Sequence, residues 1–476
     1  MTKTIPGHHH SLKFVPLIFC FAIGILGWLC PAPEGMSAQG WHILVIFVVT
    51  ILALIIKPLP MGAVAMVAVV VAVQTQVITM KQAFAGFSND VVWLVVFALF
   101  IAKGFNVTGL DKRIAYFFTA LLGKRTLGLS YGLMVTDLLL APALPSVTGR
   151  SAGIVYPIVQ GIATNYHSYG HDVSAKKIGG FLTVTAFQVT VITSTMFMTA
   201  MAANPVLTTL TNNANIPLSW ATWAIAAIVP GILSLMIIPW FIYKIYPPEI
   251  KETPNAQIEA KAQLKALGKI HYREWIMAFS VVLLLVLWIF GNQLGVQVVM
   301  AAMIGLSVLL LTGVLEWKSL VKIHDAWETF VWFCVLIMLA GFLKEYGVLD
   351  WFTHSVQGHF KGLHWKFAFP ILALIYFYSH YFFASSTAHV TSMYPAFLGL
   401  GLALGTPPLL AVFILIFFSN LFGGLTHYSL APAPLLFGVG YVDIKDWWRI
   451  GFLTSLVNIL IWSTVGVMWW KFLGFW

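Results

Sequence analysis

Charge is what this sequence has least of. Only 9% of its 476 residues are Asp, Glu, Lys or Arg, while 60% are hydrophobic; an average soluble domain is roughly 25% charged. A soluble chain of this length needs a polar skin that this composition cannot provide, so lipid must take the place of water over most of the surface. Cysteine is scarce as well. Cys20, Cys30 and Cys334 show no ligand-like spacing and lie in apolar stretches, where they read as packing residues. There is no His-Glu-x-x-His run, no Cys/His ligand cluster and no nucleophile elbow. A membrane-embedded enzyme using His389, His427 or Asp137 therefore has no recognisable constellation, and no catalytic residue, metal or cofactor is expected.

What is present is a series of long charge-free runs, among them Phe14 to Cys30, Trp41 to Ile56, Ile276 to Phe290 and Val296 to Leu311. A helix needs about 20 mostly apolar residues to cross the hydrocarbon layer, and about eleven such spans can be counted on that criterion. Barrel strands would alternate polar and apolar residues, and these runs do not, so the fold class is an all-α polytopic membrane protein. Trp220, Trp275, Trp447 and Trp448 stand where spans begin, as interfacial tryptophans do. The net charge of +10 gathers in short loops such as Lys112-Arg113, Lys124-Arg125 and Lys176-Lys177. That is the positive-inside pattern of a multi-pass protein of the cytoplasmic membrane, not a nucleic-acid-binding face. His8-His9-His10 precedes the first span without a clean cleavage site, which reads as a solvated tail before an uncleaved helix.

One long polar stretch, 247–274, divides the chain. Its helix-forming, mixed-charge residues predict a cytoplasmic linker helix between two membrane halves. The expected organisation is a tail and first helix (1–40), a first membrane repeat (41–246), the linker (247–274) and a second repeat (275–476). Residues recur between the halves at a constant offset of 239: Trp93 with Trp332, Asp111 with Asp350, Ser146 with Ser385, and Thr148 with Thr387. Tyr156-Pro157 and Tyr394-Pro395 follow with a slip of one residue. An internal duplication explains the shared order, and duplicated halves are the usual plan of secondary transporters, with substrate held where the repeats meet.

Irregular backbone at membrane depth survives only where protein buries it or where it lines a wet cavity. Four polar interruptions therefore mark the candidate site. Two are tips of expected hairpins, near 141–160 and 384–402: Ser146-Val147-Thr148-Gly149-Arg150 and Ser385-Ser386-Thr387-Ala388-His389. The other two are expected helix breaks. One runs from Thr193-Ser194-Thr195 to Ala203-Asn204-Pro205, and the other from Gly423-Gly424-Leu425-Thr426-His427 to Pro432 and Pro434. Hydroxyls and freed N–H groups at half-helix starts can hold a carboxylate, and two related tips suit a dicarboxylate. Arg150 at membrane depth costs roughly 2.5 kcal/mol or more if unpaired, so a bound anion is expected to complete it, with His389 in the matching place. The candidate substrate-binding set is Ser146, Val147, Thr148, Arg150, Thr195, Asn204, Ser385, Ser386, Thr387, His389 and Thr426. Asp90 and Asp137 are expected to be structural.

The paired tips, in the setting Leu140-Ala-Pro-Ala-Leu-Pro-Ser-Val-Thr-Gly-Arg-Ser followed by Tyr156-Pro157, resemble the divalent anion/sodium symporter (INDY-type) family. Within it they are most similar to the branch of citrate/succinate and 2-oxoglutarate/malate translocators. The resemblance covers nearly the whole chain. It implies re-entrant hairpins in two inverted repeats, a scaffold and a mobile transport domain, elevator-type alternating access, and a homodimer in membrane lipid. It also implies transport of small dicarboxylate anions. Family members carry Ser-Asn-Thr at each tip, and the Asn residues of the sodium-coupled members help form sodium sites. Val147 and Ser386 stand in those places here. Valine offers no side-chain oxygen to a hard cation, so the expectation is anion exchange without sodium, with a sodium- or proton-coupled symporter and an anion channel as the alternatives.

Overall fold

Inside lipid a backbone must satisfy its own hydrogen bonds, so the apolar runs become helices. The computed structural model describes residues 14–357 and 364–476; the His8–His10 tail lies outside the described residues. The chain begins with α1 (Phe14–Leu29), α2 (Ala38–Ile56), α3 (Met61–Gln74) and the single turn α4 (Met80–Ala83). There follow α5 (Asp90–Thr108), α6 (Leu110–Leu122), α7 (Thr126–Leu140), α8 (Val147–Arg150), α9 (Tyr156–Asn165), α10 (Gly179–Met196), α11 (Ala203–Asn213) and α12 (Trp220–Ile245). The polar connection carries α13 (Pro254–Ala266) and leads to α14 (Tyr272–Leu294), α15 (Val298–Leu311) and α16 (Trp317–Val321). Last come α17 (His324–Glu345), α18 (Val348–Gln357), α19 (Trp365–Tyr378), α20 (Ser386–Ala403), α21 (Pro408–Leu421), α22 (Ala433–Gly438), α23 (Ile444–Ile461) and α24 (Val467–Phe472).

Seven described helices are long and apolar enough to cross a membrane, and five shorter apolar helices accompany them. The long ones are α2, α5, α10, α12, α14, α17 and the run Ile444–Phe472. Together they make an all-α multi-pass membrane protein. The count is lower than the eleven expected because several apolar runs fold as helices of 14 to 16 residues, such as α1, α3 and α15.

The order of elements in α5–α12 returns in α17–α24. Each series has a long helix, a shorter one, a helix leading to an irregular tip, a helix rising from that tip, a helix that ends in a break, a short helix, and a long closing run. The junction after the first helix is the same in both. Gly109 (φ 76) follows α5 and Gly347 (φ 72) follows α17, and both hold the left-handed backbone that stops a helix at little steric penalty.

The chain forms two compact units, 1–88 with 331–351, and 89–330 with 352–476. These units cut across the sequence halves. In the first, α1 lies along α2, with the Trp41 indole donating to the Gly27 carbonyl (2.9 Å) and Trp28 stacked on His42. Tyr346 donates to the Val77 carbonyl (3.0 Å), and the Trp351 indole to that of Glu34 (2.9 Å). Gly86 lies so close to the Cys334 carbonyl that a Cβ there would overlap it. Cys20 and Cys334 are buried, as packing residues should be, whereas Cys30 is exposed.

In the second unit the linker helix is docked, not free. Thr253 donates through its hydroxyl to the Gly123 carbonyl and Gln257 through its amide to that of Ala120, both at 2.8 Å. Asn165 and Tyr166, at the end of α9, bond Glu259 and the Asn255 amide. Ala256 and Ala260 are buried on the face turned to α6. Arg113 on α6 forks onto Glu274, which also caps α14 through the His271 amide. Of the expected interfacial tryptophans, Trp275 is exposed, but Trp220 and Trp447 are fully buried. Trp220 stacks on Trp288 and donates its indole proton to Thr199, so its place is inside the packing.

Replacing Gly86 with alanine should destabilise the first unit by about 1–3 kcal/mol, since the atom in the way is a backbone oxygen that cannot rotate aside. Thermal unfolding of the detergent-solubilised protein, compared with a Gly161→Ala control in open space, measures it. Equal midpoints for the two variants would contradict the close approach.

Candidate functional site

Both tips are helix starts. After α7 the chain runs irregularly through Ala141-Pro142-Ala143-Leu144-Pro145, then re-enters a helix at Val147. A π turn at Ser151–Val155 joins α8 to α9. Ser146 is the N-cap, its hydroxyl accepting from the Gly149 amide at 3.0 Å. After α19 a 3₁₀ turn, Ser379–Phe382, leads to Ser385, which caps α20 by accepting from the Ala388 amide at 3.3 Å. The two serines thus share one role, organising a positive helix end. Thr148 and Thr387 each lie two positions further on, half-buried, and their hydroxyls form no hydrogen bond among the described residues. Gly149 and Ala384 beside them are exposed.

Arg150 differs from the expectation. Its side chain is fully buried, and its partner is a protein carboxylate: Nε donates to Asp137 Oδ1 at 3.1 Å. Nη1 donates to the carbonyls of Leu144 and Ala200, the latter at 2.6 Å, and Nη2 to Ser194 Oγ at 2.7 Å. Thr193 donates to the other oxygen of Asp137. The inference that a bound anion must complete this guanidinium is therefore corrected, because Asp137 on α7 completes it. Arg150 positions the tip: it ties the turn before α8 to the break after α10.

That break is real in the backbone. Helix α10 ends at Met196, Phe197 is extended, and α11 starts at Ala203. Asn204 donates to the carbonyls of Ser194 (2.9 Å) and Phe197 (3.0 Å) and accepts from Asn420 (2.8 Å). Thr195 donates back to Val191 in its own helix. Both residues are fully buried; they support the break and do not face an open surface. Thr199 was not singled out as a ligand, yet it bridges the region by donating to the Pro142 carbonyl (2.6 Å) while accepting from the Trp220 indole (3.1 Å).

The second tip is tied to the second break by other chemistry. Helix α21 gives way to a 3₁₀ turn, Phe422–Gly424, then to irregular chain before α22. Ser386 and His380 both reach the Ser429 carbonyl, at 3.1 and 2.9 Å. His389 is fully buried between the rings of Phe383 and Phe422. Thr426 is buried and accepts from the Tyr428 amide. Gln188 on α10 donates to the Gly424 carbonyl at 2.8 Å. Val147 is buried too, with no side-chain oxygen to offer. Of the expected ligands, only Ser146, Thr148, Ser385 and Thr387 are half-open. Reasoning from sequence took Asp137 as structural and Ser194 as part of a break without pairing either to Arg150, and it did not pick out Thr199, His380 or Ser429 as bracing residues.

A pair of capped helix starts, each braced against a broken helix inside an all-α multi-pass protein, defines a membrane transporter, and no group of three or more metal-ligating side chains occurs among the described residues. The comparisons agree on the class. A family model described as the sodium:sulfate symporter transmembrane region matches residues 11–476, and the chain belongs to that family. YflS of Bacillus subtilis is 48% identical over 471 residues, 99% of this chain and 98% of that protein. The chloroplastic dicarboxylate transporter 1 of Spinacia oleracea is 47% identical over 474 residues, 99% of this chain and 83% of that protein. The citrate/succinate antiporter of Escherichia coli is 34% identical, covering 94% and 96% of the two chains. Among solved structures, the YdaH transporter of Alcanivorax borkumensis shares the fold, with a TM-score of 0.59 at 13% identity over 90% of this chain and 98% of that one. The resemblance read from the two tips holds at the level of the family.

Removing the guanidinium leaves a buried, uncompensated carboxylate, so Arg150→Ala should destabilise the protein by about 3–5 kcal/mol. The double variant Arg150→Met with Asp137→Leu, which removes both charges, should recover part of that loss, since the Leu144 and Ala200 carbonyls still lack their donor. Tryptophan-fluorescence unfolding of the single and double variants measures the coupling; additive effects would show that the pair does not interact.

Proposed function

We propose that this protein exchanges small C4 and C5 dicarboxylates, such as succinate, fumarate, malate and 2-oxoglutarate, across the membrane without sodium coupling. The observation that carries the reading is the matched pair of half-buried hydroxyls, Thr148 and Thr387, each without a hydrogen-bond partner among the described residues and beside a serine-capped helix start. Each tip offers a carboxylate a hydroxyl and a positive helix end. Two tips match two carboxylates.

The names of relatives support the substrate class: one is a dicarboxylate transporter and another a citrate/succinate antiporter. Independence from sodium rests on the cation-binding positions of the family pattern. The Val147 side chain has no ligand atom, and the Ser386 hydroxyl is engaged with a carbonyl of the second break. Pairing with Asp137 means that Arg150 contributes no net charge, so a fixed cation does not by itself enforce exchange.

The proposal extends to the architecture that the resemblance implies. It comprises about eleven crossings with two re-entrant hairpins, in inverted repeats over 41–246 and 275–476 joined by the linker 247–274. A scaffold carries a transport domain that moves as an elevator, and two copies associate as a dimer. The recurring order of α5–α12 and α17–α24 supports the duplication.

Purified protein in proteoliposomes tests the function. Labelled succinate should enter vesicles preloaded with unlabelled succinate and should not enter empty ones, whether or not a sodium gradient is present. Sodium-driven uptake into empty vesicles would overturn the exchange reading. Thr148→Ala and Thr387→Ala should each raise the half-saturating concentration by roughly 10-fold or more, the worth of about 1.5–3 kcal/mol for a hydrogen bond to a charged group. Unchanged saturation curves would remove the hydroxyls from the site.

A further inference from the structure

The second tip carries a feature with no counterpart in the first. His380 and His389 are both fully buried, and their Nδ1 atoms lie 2.9 Å apart, within hydrogen-bond distance. At the duplication offset His389 corresponds to Arg150, but His380 corresponds to Ala141.

The partners fix most of the protons. His380 Nε2 faces the Ser429 carbonyl at 2.9 Å, and a carbonyl can only accept, so that nitrogen carries a hydrogen. A neutral His380 then has a bare Nδ1, and His389 must donate to it from its own Nδ1. A neutral His389 is left with a bare Nε2, 3.1 Å from Ser379 Oγ. The Ser379 hydroxyl has one hydrogen and two acceptors within reach, this nitrogen and the Tyr376 carbonyl at 2.8 Å. With both rings neutral, one of the two goes without. One further proton on His389 Nε2 resolves the conflict. Nε2 then donates to Ser379, Ser379 donates to Tyr376, and every polar atom in the row has a partner.

Among the described residues, no charged partner stabilises that extra proton. The elements packed on the pair present Tyr376, Phe383, Phe422 and Ser429. Tyr376 turns its hydroxyl away to Ser419 at 2.6 Å. In the second break His427 accepts from the Trp448 indole at 3.0 Å and Tyr428 donates its hydroxyl to the Tyr381 carbonyl at 2.8 Å. Among the described residues no carboxylate, lysine or arginine bonds to either ring. The charge balance at the pair therefore depends on what occupies the tip, where Thr387 lies two residues before His389.

We propose that the His380–His389 pair is a proton-binding site filled together with the dicarboxylate. The pair is neutral in the empty carrier, because a buried cation without a counter-ion is unfavourable. It takes one proton from solution when a dianion seats at the tip, because the anion then supplies the counter-charge. This rests on the tips being the substrate site. The bound proton reduces the net charge of the bound dianion and makes affinity fall as pH rises.

Calorimetry of succinate binding to the full-length protein, above neutral pH in phosphate and in Tris, tests it, since the difference in heat counts protons. Wild-type protein should take up roughly one proton per succinate bound. In His389→Gln, where the amide can still donate to His380 and accept from Ser379 but cannot titrate, uptake should fall to near zero and affinity should lose its pH dependence. His389→Asn is a second variant should the first fail to fold, and the wild-type measurement decides the uptake by itself. Succinate binding without proton uptake would overturn this inference alone. Undiminished uptake in a folded His389 variant would also overturn it, by placing the proton elsewhere. Absence of succinate binding to wild-type protein would overturn the reading of the tips, and this inference with it.

Discussion

A helix that stops inside a membrane leaves carbonyls and amides that lipid cannot satisfy, and the centre of this protein is arranged around finding partners for them. Arg150 serves the carbonyls of Leu144 and Ala200, Asn204 those of Ser194 and Phe197, and Thr199 that of Pro142. In the second half Gln188 serves Gly424, while His380 and Ser386 serve Ser429. In five of these eight bonds the donor comes from another element and not from the segment that is broken. The breaks are therefore mutually supporting, and a tip keeps its geometry only while the other element stays in place.

This constraint explains which parts of the structure were legible beforehand. The apolar runs marked the helices because period and length suffice for that, and the Gly/Pro/Ser/Thr interruptions marked the tips and breaks because few other residues occur there. The capping roles of Ser146 and Ser385 follow from their place before a helical run. What sequence could not supply was pairing. Asp137 is 13 positions from Arg150, and Ser194 is 44; neither spacing has a local meaning. Reading Arg150 as a lone charge therefore led to a ligand in the place of an ion pair. Thr195 and Asn204 were drawn into the site for the same reason, since a buried polar side chain that supports backbone has the composition of one that binds substrate.

The duplication preserves a task while changing the chemistry that performs it. In both halves the fourth residue of the helix rising from the tip turns inward and ties the tip to its surroundings. In the first half that residue is an arginine, whose charge is cancelled by a carboxylate that it never leaves. In the second it is a histidine held by another histidine, so that the corresponding place holds a charge only when protonated. A guanidinium stays protonated throughout the working pH range, whereas an imidazole does not. One tip is fixed electrostatically, and the other can respond to what it binds.

That asymmetry bears on how a carrier of this kind avoids moving empty. A hard cation site at a tip would link anion binding to an ion gradient, but Val147 has no side-chain oxygen and Ser386 spends its hydroxyl on the second break. Arg150 cannot take over that role, because Asp137 already balances it. The remaining way to tie electrostatics to occupancy is a group whose charge is set by the substrate itself. The second tip has such a group within two residues of its open hydroxyl. If the anion brings its own compensating proton, the loaded site loses part of the charge that would otherwise oppose its passage through a low-dielectric layer, while the empty site keeps an unsatisfied hydrogen bond at Ser379. Loaded and empty forms then differ in both charge and internal satisfaction. Such a difference is what a conformational equilibrium needs in order to respond to a ligand, and no metal ion has to supply it.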